Sequence, residues 1–115
     1  MSDFEDIKVR ARRFAEVRDW EQFHSPKNLA MALSVEAAEL VEIFQWLTEE
    51  QSERLSDETL ARVVDEIADV QVYLVRLADR LHVDIAAAVA QKMEKNEDKY
   101  PAELVRGSAR KYSDY

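Results

Sequence analysis

Residues 56–81 read SDETLARVVDEIADVQVYLVRLADRL, and the spacing of their apolar side chains admits one kind of local structure. Leu60, Val63, Val64, Ile67, Val70, Leu74, Leu77 and Leu81 recur at three- and four-residue steps, the period of an α-helix, without the alternation of a strand. Ser56 stands where an N-cap accepts a backbone hydrogen bond, and Asp57 and Glu58 complement the positive end of the helix behind it. Ala68, Val72, Tyr73 and Val75 widen the apolar face beyond a single stripe. A helix apolar nearly all round is usually buried, and in a chain this short the simplest cover is further copies of the same chain. An oligomer is expected.

Three more helical blocks flank this one. Residues 3–18 place Phe4, Ile7, Ala11, Phe14 and Val17 on one side. The second block opens with Ser25 as N-cap and Pro26 at the first helical position, then runs through Leu29, Leu33, Leu40, Ile43 and Phe44 to Leu47. Thr48 to Ser56 is polar and aperiodic and reads as a loop. His82 and Val83 interrupt the pattern, Asp84 is placed to cap, and a fourth helix is expected from Ile85 to about Tyr100. Residues 101–115, which hold Pro101 and Gly107, read as a loosely ordered polar tail. The expectation is one all-α domain over residues 1–115, a four-helix bundle-type protomer.

Composition narrows the function. The 115 residues contain one Gly and no Cys, so phosphate-cradling glycine loops, thiolate zinc sites and a cysteine nucleophile are excluded. A net charge of −8, from 24 acidic and 16 basic residues, argues against duplex nucleic acid or an anionic membrane as partner. The N-terminus lacks the basic and apolar regions of a secretory signal, and no apolar run approaches the roughly 20 residues of a membrane span. A cytoplasmic location is expected.

The acids are informative by position. Glu36 falls inside the apolar stripe of the second helix, three after Leu33 and four before Leu40, and Glu39 lies one turn on. The third helix repeats the arrangement: Glu66 is three after Val63 and four before Val70, and Asp69 follows one turn later. Buried carboxylates facing one another are costly unless something offsets their charge. A divalent cation would do so, and oxygen-only ligands select hard ions such as Mg²⁺, with Mn²⁺ as substitute. A ferritin-like di-iron site would need Glu-x-x-His pairs, and none of these four acids is followed three residues on by a histidine. Either pair taken alone reads as a solvated helix face, and only the two together bring the metal reading level with it, so spacing leaves both alternatives open.

On the fourth helix Lys92, Asn96 and Lys99 share one face, with Lys95 beside them, which suits either polyphosphate oxygens or plain solvent. Trp20, Phe23, Trp46, Tyr73 and Tyr100 are able to stack on a base or to fill a core. Trp20 and Trp46, near helix ends, are the better base contacts. His24 reads as a capping or loop residue, with phosphate contact as the alternative.

Glu36-Ala-Ala-Glu39 followed after 26 residues by Glu66-Ile-Ala-Asp69 resembles the ExxE…ExxD signature of the all-α nucleotide pyrophosphohydrolases of the MazG-like superfamily. RDWEQFH (18–24), FQW (44–46), KMEKNEDKYP (92–101) and SARKY (108–112) are similar to the dCTP pyrophosphatase branch, and these long segments are more specific than the acids. The resemblance implies a Mg²⁺-dependent homotetramer that hydrolyses a nucleoside triphosphate between the α and β phosphates, in nucleotide pool sanitation. It implies metal ligands at Glu36, Glu39, Glu66 and Asp69, with Glu36 or Glu39 orienting or deprotonating the attacking water. It implies nucleotide contacts at Trp20, Trp46, Tyr73, Lys92 and Asn96, beside which His24, Lys99 and Tyr100 are candidates. One departure is Ala11, where some relatives carry a histidine; it bears on base selectivity. The competing expectations are a broad-specificity or noncanonical-nucleotide enzyme, and a catalytically silent nucleotide-binding bundle.

Overall fold

The computed structural model describes residues 3–109. In chain order the elements are α1 (Asp3–Val17), a 3₁₀ turn (Glu21–Phe23), α2 (Pro26–Phe44), α3 (Glu49–Ser52), α4 (Asp57–Arg80), α5 (Ile85–Lys99) and α6 (Ala102–Val105). Among the described residues there is no strand, so the all-α expectation holds. The chain forms two compact units, one up to Val83 and one from Asp84 onward.

The three capping signals act as read. Ser25 Oγ accepts from Asn28 N at 3.1 Å, Ser56 Oγ from Thr59 N at 3.1 Å, and Asp84 Oδ1 from Ala87 N at 3.0 Å. Each satisfies a backbone donor that the first turn of a helix leaves without a partner. In the first unit α4 is the axis, with α2 and α1 both packed on it. Leu29 of α2, Ala15 of α1 and Val63, Val75 and Ala78 of α4 are buried.

Three local expectations are corrected. The second helix ends at Phe44 rather than Leu47, and Gln45 N closes it on Val41 O at 2.8 Å. The expected loop of residues 48–56 contains α3, fixed by a reciprocal capping box: Thr48 Oγ1 accepts from Gln51 N at 3.1 Å and Gln51 Oε1 from Thr48 N at 3.0 Å. The expected tail contains α6, whose first turn follows Pro101, with Leu104 N bonded to Pro101 O at 2.9 Å. Arg110 to Tyr115, the rest of that tail, lie outside the described residues. Within the single chain α4 is not enclosed all round either, since Val64, Ile67, Val72 and Leu74 are exposed.

Two turns show how a chain with one glycine ends its helices. After α1, Asp19 N bonds Glu16 O at 3.1 Å and Trp20 N bonds Ala15 O at 2.9 Å; after α4, His82 N bonds Asp79 O at 3.2 Å and Val83 N bonds Ala78 O at 2.8 Å. Both are Schellman closures, which require a left-handed residue at the turn. Asp19 (φ 55°) and His82 (φ 57°) supply it in place of glycine. The first of these closures sets the direction in which Trp20 leaves α1.

Candidate active site

Glu36 and Glu39 project from α2, and Glu66 projects from α4 to meet them; one oxygen from each of the three lies within 4.8 Å of the others. All three are half-buried. The buried Oε2 atoms of Glu36 and Glu66 receive no hydrogen bond from any N–H or O–H of the protein. Burial, hydrogen bonds to Glu66 and Glu39, and the charges of Glu39 and Asp69 push the Glu36 carboxyl up to about 7. Burial raises Glu66 as well, opposed by the proton it accepts from Glu36 and aided by the charges of Glu39 and Asp69. Orphaned carboxylate oxygens converging from two helices could hold a hard divalent cation. Of the four expected ligands, Asp69 stands apart: it is exposed and acts on the cluster through its charge.

One and two turns along α4 from Glu66, Asp69 and Tyr73 open onto a cavity of about 530 Å³. Its far wall consists of edge-on rings. The Phe14 and Trp20 centroids are 5.8 Å apart at 68°, and those of Trp20 and His24 are 6.5 Å apart at 60°. The Arg18 guanidinium caps this row, 3.6 Å from the Phe14 ring centroid. Burial and the charge of Arg76 hold His24 below the usual histidine range, and its Nδ1 is buried without a partner. Ala11 also lines the cavity, and its small side chain leaves room between α1 and the rings.

A charged network lies beneath this wall. Arg76 of α4, only 2% exposed, donates from Nη2 to Glu21 Oε1 at 2.6 Å and from Nη1 to Asp79 Oδ2 at 3.2 Å. Arg12 of α1 grips the same Asp79 with both arms of its fork, at 2.9 and 2.6 Å, and Arg80 donates to Glu21 Oε2 at 3.3 Å. The bond from Arg12, with the charges of Arg12 and Arg76, holds the Asp79 carboxyl below its ordinary range.

The MazG-like family matches residues 31–115, about three quarters of the chain and all four signature acids. The chain belongs to the MazG-like family. MazG-like relatives include dCTP pyrophosphatase 1 from Mus musculus, 48% identical over 112 residues, and dCTP pyrophosphatase 1 from Homo sapiens, 46% identical over the same length. Each alignment covers 96% of this chain and 66% of the relative, so the chain spans just under two thirds of the length of the curated proteins it matches. A crystal structure of a pyrophosphatase from Archaeoglobus fulgidus superposes with a TM-score of 0.76 at 44% identity, covering 88% of this chain and 94% of that one.

Within this MazG-like fold the expected site residues fall into four groups. Glu36, Glu39 and Glu66 converge, and Trp20, His24, Asp69 and Tyr73 share the adjoining cavity. Trp46, 86% exposed, stands clear of that cavity wall at the end of α2. Lys92, Asn96 and Lys99 belong to α5, and Tyr100 ends it, all in the second compact unit. Sequence reasoning missed Arg76, Glu21 and Asp79. A lone Arg among Leu77, Val75 and Leu74 was the available signal, since a charge on the core face of a helix needs buried partners.

Proposed function

We propose that this chain hydrolyses dCTP to dCMP and pyrophosphate with the help of a divalent cation, Mg²⁺ first and Mn²⁺ in its place. The observation that carries the reading is the convergence of Glu36, Glu39 and Glu66, with bare buried oxygens, one helical turn from an aromatic-walled cavity. The kinship with dCTP pyrophosphatase 1 supports the choice of substrate. A divalent cation held by these three acids, with Asp69 as a fourth candidate, would offset triphosphate charge and acidify a water. Glu36 or Glu39 would take the proton from the attacking water as it adds to the α-phosphorus and pyrophosphate leaves. Trp20, Tyr73 and His24 hold the base, with Trp46 as a further stacking surface. Lys92, Asn96, Lys99 and Tyr100 bind phosphate or sugar oxygens.

The assembly proposed is a homotetramer, supported by the exposed Val64, Ile67, Val72 and Leu74 on α4. Light scattering should return a mass near four times 13.4 kDa. The reaction is tested by product analysis with a panel of triphosphates in EDTA, Mg²⁺ and Mn²⁺. Metal-dependent dCMP and pyrophosphate are expected, and their absence refutes the proposal. Ala11 on the cavity wall favours one second reading, a broader enzyme that also takes base-modified nucleotides. Comparable turnover of dCTP and other triphosphates would establish that reading instead.

A further inference from the structure

We infer that Arg76 is a positioning residue: together with Glu21 it fastens the Trp20–His24 wall to α4 and thereby sets how tightly the nucleotide base is held. The inference rests on the reaction proposed above. Trp20 and His24 sit on the connection between α1 and α2, where only the 3₁₀ turn Glu21–Phe23 gives regular structure. Among the described residues, the ion pairs that join this connection to α4 both go to Glu21, from Arg76 at 2.6 Å and from Arg80 at 3.3 Å. Through Asp79 the same guanidinium is tied to Arg12, so one side chain links α1, α4 and the connection around the cavity it lines.

Stability alone does not account for this arrangement. Burying a guanidinium is costly, and well-packed apolar replacements of buried ion pairs are often neutral or stabilising. What the fork supplies is direction. Its two terminal nitrogens bind two carboxylates on different elements, and a planar, bidentate donor fixes their separation as an aliphatic side chain does not.

Two variants test this. Arg76→Met fills the buried volume and leaves Arg12 on Asp79 and Arg80 on Glu21. Glu21→Gln takes the charge out of the link from the other end, leaving at most a neutral acceptor, at a side chain 34% exposed, and so keeps the test open if Arg76→Met fails to fold. The chain has two tryptophans, Trp20 and Trp46, so a Trp46→Phe background leaves Trp20 as sole reporter. In that background both variants should shift Trp20 emission to longer wavelength and increase its quenching by acrylamide, with helical circular dichroism unchanged. With both tryptophans present, each should raise KM for dCTP about tenfold while kcat stays within about twofold, as loss of a stacking surface common to ground and transition states requires. The double variant should be no worse than the more affected single one. Unchanged Trp20 emission in Glu21→Gln, or a fall in kcat at constant KM, would overturn the inference. The emission measurement uses ligand-free protein, so absence of dCTP turnover would sink the proposed reaction while leaving the link itself to be decided.

Discussion

Replacing Glu36 by glutamine should stabilise the metal-free protein above neutral pH while destroying its activity. The Glu36 carboxyl is pushed from 4.5 to about 7 by burial and by its acidic neighbours. Between those values the folded chain binds more protons than the unfolded one. The stability contributed by this group is therefore greatest below about 4.5, falls as pH rises toward 7, and is level above it. Undamped, such a rise corresponds to about 3 kcal/mol. The cluster is half-open to water, and screening leaves about 1 kcal/mol, or about 4 °C in Tm for a domain of this size. In Glu36→Gln the new amide would carry no charge and would donate to Glu66. The assay is thermal unfolding in EDTA from pH 5 to 8, read as the variant minus the wild type, which cancels the opposite trend from His24, whose pKa is lowered. The difference should be near zero at pH 5 and favour the variant by about 4 °C at pH 8. A variant equally or less stable than wild type at pH 8 would refute the electrostatic account of the cluster.

Three further outcomes are expected. Glu66→Gln and Asp69→Asn should each lower kcat for dCTP about 100-fold or more without lowering Tm in EDTA, measured by pyrophosphate release and by melting. His82→Gly should raise stability by about 0.5–1 kcal/mol, because φ 57° strains any side chain, and a denaturant titration will show it as a higher midpoint at constant slope. Thr48→Ala should cost about 1 kcal/mol by removing the box that holds α3, measured in the same titration.

What was legible in the sequence shares one property: it depends on spacing along a single helix. Ser25-Pro26, Ser56 and Asp84 mark helix starts because capping is local, and Glu36, Glu39 and Glu66 were found because each breaks an apolar stripe at a helical step. The elements read as loop or tail are short helices held by their ends. For α3, the Thr48-x-x-Gln51 box was written in the sequence, but a four-residue helix has no apolar stripe to announce it. The left-handed turns at Asp19 and His82 were hidden for a different reason, since neither is glycine and only the backbone bonds across the turn reveal them. Arg76 was least legible, because its two carboxylate partners are Asp79, one turn away, and Glu21, 55 residues away in the chain. Asp69 lies at the same helical step as the other acids, yet it opens onto the cavity rather than joining the trio.

The raised Glu36 carboxyl has a thermodynamic consequence. Near pH 7 the Glu36 carboxyl is about half protonated, so taking up a cation there also means releasing about half a proton to the solution. The heat of cation binding will then include the ionisation heat of whatever buffer receives that proton. Titration calorimetry in Tris and in PIPES at the same pH should therefore give different apparent enthalpies for one and the same site, and the slope against buffer ionisation enthalpy counts the protons lost.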